Sequence, residues 1–333
     1  MEQWQGIWVV GETAPGGVAP VTLELMSKGR LLADKLGTDL SVVLIGHGVG
    51  ALAEGLGAHG ADRVYVADHP ELADFADEPY ARILADLAAR ERPEVILAGA
   101  TATGRGFIPR VATLLETGLT ADCVDLDVDP ADRILRQTRP AWGGNLMATI
   151  VCPDRRPQMA TVRPNVFRAA KPEPGRRAEV VPVAVDEAQL RRGIEVLEHV
   201  ETEASGGLRE AEIVVTAGRG VGPGEGLELL RRLCELVGGE LAATRAVTDA
   251  GWLPHRCMIG QTGETVAPRL YMGFGVSGAM PHVVGMQGAE IVVAVNKDPK
   301  APIFDLATYG IVGDVHEILP VLVERLRGRK DSA

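Results

Sequence analysis

The sequence predicts an α/β fold in two domains, because short β-rich runs alternate with helical segments twice along its 333 residues. The first alternation lies before residue 120, and the second follows a segment rich in Pro, Gly and Arg at 171–208. We therefore expect an N-terminal parallel α/β sheet with an antiparallel extension over 1–204. A C-terminal doubly wound domain is expected over 205–333, after a linker that ends near residue 205.

The first domain is expected to begin as a parallel sheet with helical crossovers. An amphipathic helix is predicted from Pro20, which suits a first turn, to Gly37, which suits a helix C-cap. Leu25, Leu32 and Leu36 recur within it at helical spacing. The four β-rich runs are GIWVV at 6–10, LSVVLIG at 40–46, RVYVAD at 63–68 and EVILAGA at 94–100.

Three shorter strand-like pieces are expected to form the antiparallel extension that closes the first domain. Gly-Gly and Pro-Asp turns separate them, as in hairpins. The pieces are RILRQTRPAW at 133–142, NLMATIVC at 145–152 and PQMATVRP at 157–164.

The second domain repeats the strand and helix alternation. A helix is predicted from the apolar periodicity of GLELLRRLCELVG at 226–238. Strands are predicted in AEIVVTAGRG at 211–220, RLYMGFG at 269–275 and EIVVAVNKD at 290–298. This order indicates another doubly wound sheet.

Composition and charge exclude several classes of protein. A net charge of -11 with a pI near 5.2 argues against nucleic-acid binding. No apolar run approaches the roughly 20 residues of a membrane span, and the start lacks a signal-peptide pattern, so a cytoplasmic protein is expected. The four cysteines and seven histidines are scattered without a C-x-x-C, H-E-x-x-H or Ser/His/Asp motif. We therefore expect neither a metal site nor a disulfide framework, and no motif supports hydrolysis.

Two glycine-rich turns in the first domain invite a nucleotide-binding interpretation. GHGVGA at 46–51, with Asp68 about 20 residues on, matches a dinucleotide fingerprint. Such strand-to-helix turns are common in α/β domains, however, and we interpret this one as a plain tight turn. GATATGRGFIPRVA at 99–112 also follows a strand, and it suits either a ligand loop or a packed loop.

Polar residues in the second domain cluster where its predicted strands end. The carboxyl ends of parallel strands meet at one edge of a sheet, so these residues are expected to line one crevice. Glycines let backbone N–H groups approach phosphate, hydroxyl groups donate hydrogen bonds, and Arg stacks on planar groups. Each residue alone suits a cap or a turn, but together they predict a cofactor with an aromatic ring and a pyrophosphate tail. They are Arg219, Thr244, Arg245, the Gln261 turn, the Ser277 turn and Asn296.

Four ordered blocks of the second domain carry these residues: GRG at 218–220, TRAVTDAGW at 244–252, GQTGETVAPRLYMGFGVSGAMPH at 260–282 and VNKDPKAPIFDLATYGIVGD at 295–314. They resemble the FAD domain of the electron transfer flavoprotein alpha subunit, and the resemblance runs over nearly the whole chain. It implies an electron carrier that holds FAD, pairs through both domains with a beta subunit, and transforms no substrate. The implied donor is a dehydrogenase such as an acyl-CoA dehydrogenase, and the implied acceptor is a quinone reductase or a ferredoxin-type protein.

The resemblance also implies the role of each site residue. Arg245 would lie against the flavin ring, Thr262 near its N5 and His282 near its O2. A cation and a donor at that edge favour the anionic reduced forms of the flavin. For His282 the alternative is a histidine satisfied within a helix start. The whole implied FAD set is Arg219, Thr244, Arg245, Gly260, Gln261, Thr262, Gly263, Ser277, Gly278, Ala279, His282, Asn296, Asp314 and Val315.

The chain departs from the family pattern at two positions. Glu264 stands where the family usually reads QTGK, and Pro281 stands where it reads GAIQH. Proline has no backbone N–H and a fixed φ, so the approach of His282 to the flavin is expected to differ.

Three segments of the first domain, 118–129, 135–152 and 157–168, carry a further resemblance. They resemble the electron-bifurcating group of alpha subunits more than those of ordinary fatty-acid oxidation. That group carries a second FAD in the beta subunit, where the plain carrier holds AMP. Arg139, Arg156 and Arg163 would reach toward it, or would act as interface or loop-packing cations.

A hypothesis from another class is a nucleotide-binding module that senses ATP or AMP without redox chemistry.

Overall fold

The computed structural model describes residues 4–141, 146–198, 207–209 and 211–330. The chain divides into two compact units, residues 1–199 and 200–333. The predicted domain boundary between residues 204 and 205 lies outside the described residues.

The first unit is built on a seven-stranded sheet with an added three-stranded sheet. The main sheet has the order β12-β5-β4-β1-β6-β11-β7, and all of its ladders are parallel. The smaller sheet, β10-β9-β8, is antiparallel, as predicted. The bounds are β1 Ile7–Gly11, β2 Thr13–Ala14, β3 Gly17–Val18, α1 Pro20–Leu36, β4 Leu40–Gly46, α2 Gly50–Leu56, β5 Arg63–Asp68, α3 Asp77–Glu91, β6 Val95–Gly99, α4 Ala102–Leu114, β7 Leu119–Cys123, β8 Asp125–Asp129, β9 Ile134–Ala141, β10 Leu146–Ile150, β11 Gln158–Val162 and β12 Glu179–Pro182.

Helix α1 and its neighbouring strands form where the sequence predicts them. Pro20 is the first helical residue, and Gly37 follows the helix with a left-handed φ of 61°. A left-handed residue at this position strongly favours Gly, because a Cβ would be strained there. Every residue of β4 is buried, which explains why its run is apolar apart from Ser41 rather than alternating.

One prediction for the first unit is wrong. The segment 157–164 was expected in the antiparallel extension, but its strand β11 lies in the main sheet, parallel to β6 and β7. All five residues of β11 are buried. A strand covered on both faces must satisfy any polar side chain that it buries. In QMATV, Gln158 accepts from the Leu135 N–H at 2.7 Å and Thr161 accepts from the Asp122 N–H at 3.1 Å.

Glu24 gives the first unit a pH-dependent stability. It lies on α1 with 7% exposure, and its Oε2 accepts a hydrogen bond of 2.9 Å from the Asn165 N–H. Burial raises the pKa of Glu24 to about 7, against hydrogen bonds from Asn165, Phe167 and Val166 that lower it. The folded state therefore holds the proton more tightly than the unfolded state does. This contribution is fully present below about pH 4.5 and is lost as the pH rises through about 7.

We expect Glu24→Gln to be more stable than the wild type at pH 8, by about 1–3 kcal/mol, because its neutral amide needs no proton. At pH 5 the advantage should shrink toward zero. Urea unfolding at both pH values measures the difference, with Glu54→Gln, an exposed glutamate on α2, as the control. An equal effect at the two pH values would contradict the assignment.

The second unit contains a five-stranded parallel sheet in the order β14-β13-β15-β16-β17. Helices α5 and α8 pack against one face, and Ile259, Val266 and Met286 pack against the other. The chain runs from β13 outward to β14 and then returns to β15 on the other side of β13, so the strand order reverses between β13 and β15. The bounds are β13 Ile213–Ala217, α5 Glu225–Val237, β14 Glu240–Ala243, α6 Arg245–Asp249, β15 Leu270–Phe274, α7 Met280–Val283, β16 Ile291–Asn296, β17 Tyr309–Val312 and α8 Val315–Lys330.

Within the described ranges, no helix combines the length and the apolar character that crossing a membrane requires.

Candidate functional site

The polar residues predicted at strand ends lie along one edge of the second sheet. All five strands are parallel, so their carboxyl ends share that edge. Every strand contributes to it, which is the position where open α/β sheets bind ligands. In strand order the contributions are Thr244 and Arg245 after β14, Arg219 after β13, Ser277, Gly278 and Ala279 after β15, Asn296 at the end of β16, and Asp314 and Val315 after β17.

The backbones after β13 and β15 touch where the strand order reverses. The Gly218 N–H donates to the Phe274 carbonyl at 2.8 Å, and the Gly220 N–H donates to the Gly275 carbonyl at 3.3 Å. A Cβ on Gly218 would lie only 2.1 Å from the Gly275 oxygen. This contact holds the two loops at a fixed spacing that only glycine permits.

The predicted contacts from Gln261 to Gly263 come from a loop that is fastened to this edge rather than from a strand end. The Ile259 N–H donates to the Ala243 carbonyl at 3.0 Å, and the Gln261 N–H donates to the Pro281 carbonyl at 2.7 Å. Gly260 fits between them, since its Cβ would lie 2.8 Å from the Pro281 oxygen. The side chains of Gln261 and Thr262 are exposed.

The turn after β15 offers a set of hydrogen-bond donors. No residue in the described part of the chain accepts a hydrogen bond from the N–H groups of Ser277, Gly278 or Ala279. Gly278 has a φ of 83°, and its Cβ would lie 2.3 Å from the Ile303 nitrogen. Successive N–H groups in such a turn, beside an exposed serine hydroxyl, suit a phosphate or a carbonyl oxygen. This donor set fits the ribityl and pyrophosphate part of FAD.

Two arginines supply positive charge at the same edge. Arg219 is exposed in the turn after β13. Arg245 is the first residue of α6, and its Nε lies 3.2 Å from Asp249 Oδ2 while 72% of its side chain stays exposed. The planar guanidinium is therefore accessible for stacking on an aromatic ring.

The side chains of Asn296 and Asp314 also form hydrogen bonds with nearby backbone groups. Asn296 Nδ2 donates to the Val276 carbonyl at 2.8 Å, and its Oδ1 accepts from the Asp298 N–H at 2.9 Å. Asp314 Oδ1 accepts from the His316 N–H at 2.8 Å at the start of α8. These bonds match the turn and cap roles that we kept as alternatives, and the FAD contacts of both residues stay predictions.

His282 is 7% exposed, and other residues of the unit contact both of its ring nitrogens. Nε2 lies 2.8 Å from the Tyr271 hydroxyl, and Nδ1 lies 3.0 Å from the Ile259 carbonyl oxygen. Burial lowers the pKa of His282, against the Ile259 hydrogen bond, which raises it. This is the satisfied histidine kept as the alternative, and the predicted contact with flavin O2 stays a prediction. Sequence reasoning missed Tyr271, although a buried tyrosine in RLYMGFG signals a partner for its hydroxyl.

Glu264 and Pro281, the two residues that depart from the family pattern, both make contacts within this unit. Glu264 forms an ion pair with Arg209, so the carboxylate is neutralised within the domain. Pro281 lies in the first turn of α7, where a missing backbone N–H costs nothing, and its carbonyl accepts from Gln261.

We expect Pro281→Gln to retain FAD as well as the wild type, or better, because the group in use at this position is the carbonyl, which Gln also has. The FAD content of the purified protein, compared with that of the wild type, measures the effect. A variant that loses its flavin would show that the fixed φ of Pro281 itself shapes the turn.

In both glycine-rich turns of the first unit, a side chain accepts hydrogen bonds from backbone N–H groups of the turn. Asp68 accepts from the N–H groups of Gly48 at 2.8 Å and Gly50 at 3.0 Å, so its carboxylate closes the plain turn that we expected. The segment 99–112 was expected to be a loop, but it forms a short turn and most of helix α4. At the helix N-cap, the Thr101 hydroxyl accepts from the Gly104 N–H at 3.0 Å and lies 2.8 Å from Glu12 Oε2. Burial raises the pKa of Glu12, against this hydrogen bond from Thr101, which lowers it.

The three arginines predicted to reach a partner flavin differ in their surroundings. Arg156 donates to the carbonyls of its own loop and of Arg133, which is a loop-packing role. Arg139 lies in β9 opposite Ala148 of β10. Arg163 follows β11 and pairs with Asp122 through Nη2 at 2.6 Å and Nε at 3.2 Å. Its buried Nη1 has no hydrogen-bond partner among the described residues.

The fold and this edge together define a two-domain α/β protein whose second domain carries polar residues at the edge where doubly wound sheets bind ligands. Residues 7–188 match the family model described as the electron transfer flavoprotein domain, and residues 207–287 match the electron transfer flavoprotein FAD-binding domain. The chain belongs to the electron transfer flavoprotein alpha-subunit family.

Relatives from several bacteria match over nearly the whole chain. An electron transfer flavoprotein subunit alpha of Thermoanaerobacterium thermosaccharolyticum is 45% identical, covering 99% of this chain and 100% of its own. The acryloyl-CoA reductase electron transfer subunit beta of Anaerotignum propionicum is 42% identical, covering 100% and 98%. The lactate dehydrogenase (NAD(+),ferredoxin) subunit LctC of Acetobacterium woodii is 41% identical, covering 99% and 78%.

Proposed function

We propose that the second unit binds one FAD and that the chain carries electrons between a donor dehydrogenase and a redox acceptor. The observation that carries the proposal is the convergence of all five strand ends on one edge with two arginines, free backbone donors and glycine turns. When bound, FAD supplies the electron-transfer chemistry, and the protein supplies binding, orientation and electrostatics.

Each residue of the edge has a task that suits its chemistry. Arg245 covers the ring with an exposed, planar cation, and its charge favours the negative charge that reduction adds. Gln261, Thr262 and Gly263 line the ring edge from the fastened loop. His282 is expected near O2 of the ring, as the resemblance implies. The phosphates and sugars would contact the remaining members of the predicted set, which are Arg219, Thr244, Gly260, Ser277, Gly278, Ala279, Asn296, Asp314 and Val315.

The proposal includes a heterodimer with an electron transfer flavoprotein beta subunit. Strand β10 lies at an edge of its sheet, and Leu146 and Met147 expose 55% and 52% of their surface there. Ile150 and Val151 extend this apolar strip, with 37% and 46% exposure. Apolar side chains on a free strand edge favour burial against a protein partner.

Electron bifurcation is the second candidate function, with NADH oxidised at a second FAD in the beta subunit. The partly exposed Arg163 favours it, because one of its nitrogens has no acceptor among the described residues while its charge suits an anionic ligand. The names of two relatives, one an acryloyl-CoA reductase subunit and one an NAD- and ferredoxin-linked subunit, support a role in such assemblies. AMP in place of the second FAD would leave a plain carrier.

We expect Arg245→Ala to weaken FAD binding about tenfold or more and to lower the flavin midpoint potential, because a charge-assisted contact contributes about 1.5–3 kcal/mol. FAD titration and redox titration of the complex with its beta subunit measure the two effects. Arg232→Ala is the matched control, since Arg232 is also exposed beside an acidic residue four positions away, Glu228.

An unchanged affinity and potential in Arg245→Ala would contradict the assigned role of Arg245. The purified complex should show a visible flavin absorption band that bleaches reversibly on reduction. The whole proposal would be contradicted if the complex lacked this band. That result would favour the regulatory module that senses ATP or AMP.

A further inference from the structure

A separate cavity lies at the carboxyl edge of the main sheet in the first unit. The chain runs from β1 outward through β4 and β5 and then returns to β6 on the other side of β1. The loops after β1 and β6 therefore part at this point, which is where open α/β sheets bind ligands. The cavity has a volume of about 180 Å³, and its walls come from the ends of β1 and β4, the segment before α3, and helices α3 and α4.

Three aromatic rings form one wall of this cavity. The ring centroids of Phe75 and Tyr80 are 5.0 Å apart, and that of Phe107 lies 5.9 Å from Phe75 and 5.8 Å from Tyr80. The rings meet edge to face, so a ligand packs against this wall rather than between its rings. Phe75 leaves 37% of its surface exposed, and the Tyr80 hydroxyl donates to the Leu72 carbonyl at 3.2 Å, which holds the segment that carries Phe75.

Glu12 brings a carboxyl group with unused hydrogen-bonding capacity to the cavity. Thr101 Oγ1 lies 2.9 Å from Oε1 and 2.8 Å from Oε2 of Glu12, but a hydroxyl has one hydrogen and donates to only one of them. No other group in the described part of the chain donates to this carboxyl. Burial raises the pKa of Glu12, against the Thr101 hydrogen bond, which lowers it. The neutral acid, with one donor and one acceptor, is therefore favoured relative to an exposed glutamate.

The charges around the cavity decide what it can hold. Glu12 is the only charged residue among the described residues that line it, and that lining contains no Lys, Arg or His. A phosphate would meet a carboxyl without a compensating cation, and a ligand ammonium would lose its own hydration to pair with Glu12. A neutral heterocycle avoids both costs, because an amino group and an adjacent ring nitrogen match the acceptor and the donor of a neutral carboxyl.

We propose that this cavity binds a planar heteroaromatic base that carries an amino group beside a ring nitrogen, as adenine does. The base packs on the exposed ring of Phe75 and exchanges two hydrogen bonds with Glu12. The volume of about 180 Å³ suits a single base rather than a whole nucleotide. The site lies within the first unit, so it does not depend on the FAD site proposed for the second.

Calorimetric titration of adenine into the full chain, purified with its beta subunit, tests the proposal. We expect saturable binding that Phe75→Ala weakens about tenfold, because the stacking of a base on an aromatic ring is lost. Glu12→Leu should weaken it by about as much, whereas Glu12→Gln should stay within about threefold, since an amide also offers one donor and one acceptor. Leu114→Ala is the matched control, because Leu114 is an apolar residue of the same unit with 52% exposure that lies outside the lining.

Ligand analogues test the same chemistry from the other side. Purine, which lacks the amino group, should bind about fivefold more weakly than adenine. AMP should also bind more weakly than adenine, because its phosphate meets no cation in the described lining. Adenosine that binds as tightly as adenine would identify nucleosides as the source of the base, and weaker binding would identify the free base.

The inference is overturned if adenine does not bind, or if purine or AMP binds at least as tightly. Loss of binding in Glu12→Gln also overturns it, since that result would mean that the ligand needs the charge of Glu12. Unchanged binding in Phe75→Ala and Glu12→Leu would place the adenine elsewhere in the complex. If Glu12→Leu fails to fold, Phe75→Ala decides the question by itself, because it alters an exposed ring.

Discussion

Replacing Gly218 by Ala is expected to abolish flavin retention and to destabilise the second unit by about 1–3 kcal/mol. The added Cβ would lie 2.1 Å from the Gly275 oxygen and 2.5 Å from the Val276 nitrogen, which are backbone atoms that cannot rotate away. The loop after β15 must therefore shift, and with it Ser277 and its neighbours. The FAD content of the purified complex and the urea unfolding of the chain measure the two effects.

The control for this prediction is Gly328→Ala in helix α8. A Cβ at Gly328 meets nothing within 4 Å, so the substitution should leave flavin content unchanged. It should also stabilise the helix slightly, because alanine loses less backbone entropy than glycine. Normal flavin content in Gly218→Ala would mean that the contact between the two loops does not shape the site.

Much of the fold could be predicted from periodicity and turn chemistry. The strand at 40–46 and the helix from Pro20 have the predicted starts and ends, since an apolar run and a C-capping glycine are local signals. Strand β14 at Glu240–Ala243 was implied by the strand end expected at Thr244, but its bounds were not predicted, because ELAA is short and carries no β-branched residue. Strand β11 was placed in the wrong sheet, because its neighbours in space are distant in sequence.

The candidate site could be predicted as a set of positions but not as a set of contacts. The parallel order of the strands was enough to bring Arg219, Arg245 and Asn296 to one edge. Two contacts depend on side-chain directions that no spacing rule gives. They are the hydrogen bond between the Tyr271 hydroxyl and Nε2 of His282, and the ion pair of Arg209 with Glu264. The resemblance to the family indicated which residues belong to the site. Only the three-dimensional packing shows which other groups of the protein each of them contacts.

The second large effect is expected in the flavin count of the complex. Co-purified with its beta subunit, the chain should form a one-to-one heterodimer that contains two FAD and no AMP. The physical reason lies in Arg163, whose side chain is 16% exposed, is paired on one side with Asp122, and keeps a buried Nη1 without an acceptor among the described residues. A guanidinium donor without an acceptor is costly, so a rotation of this partly exposed side chain toward an anionic group of the partner would be favourable.

Denaturing the complex and separating the released FAD and AMP by chromatography gives the count directly. Two FAD per heterodimer, with bleaching on addition of NADH, would support the bifurcating assembly. One FAD with one AMP would contradict it and leave the plain carrier. Arg163→Gln distinguishes the role of this side chain, because it removes the charge while keeping a donor. It should lower the second FAD selectively, whereas Arg156→Gln, in a loop-packing position, should leave both flavins in place.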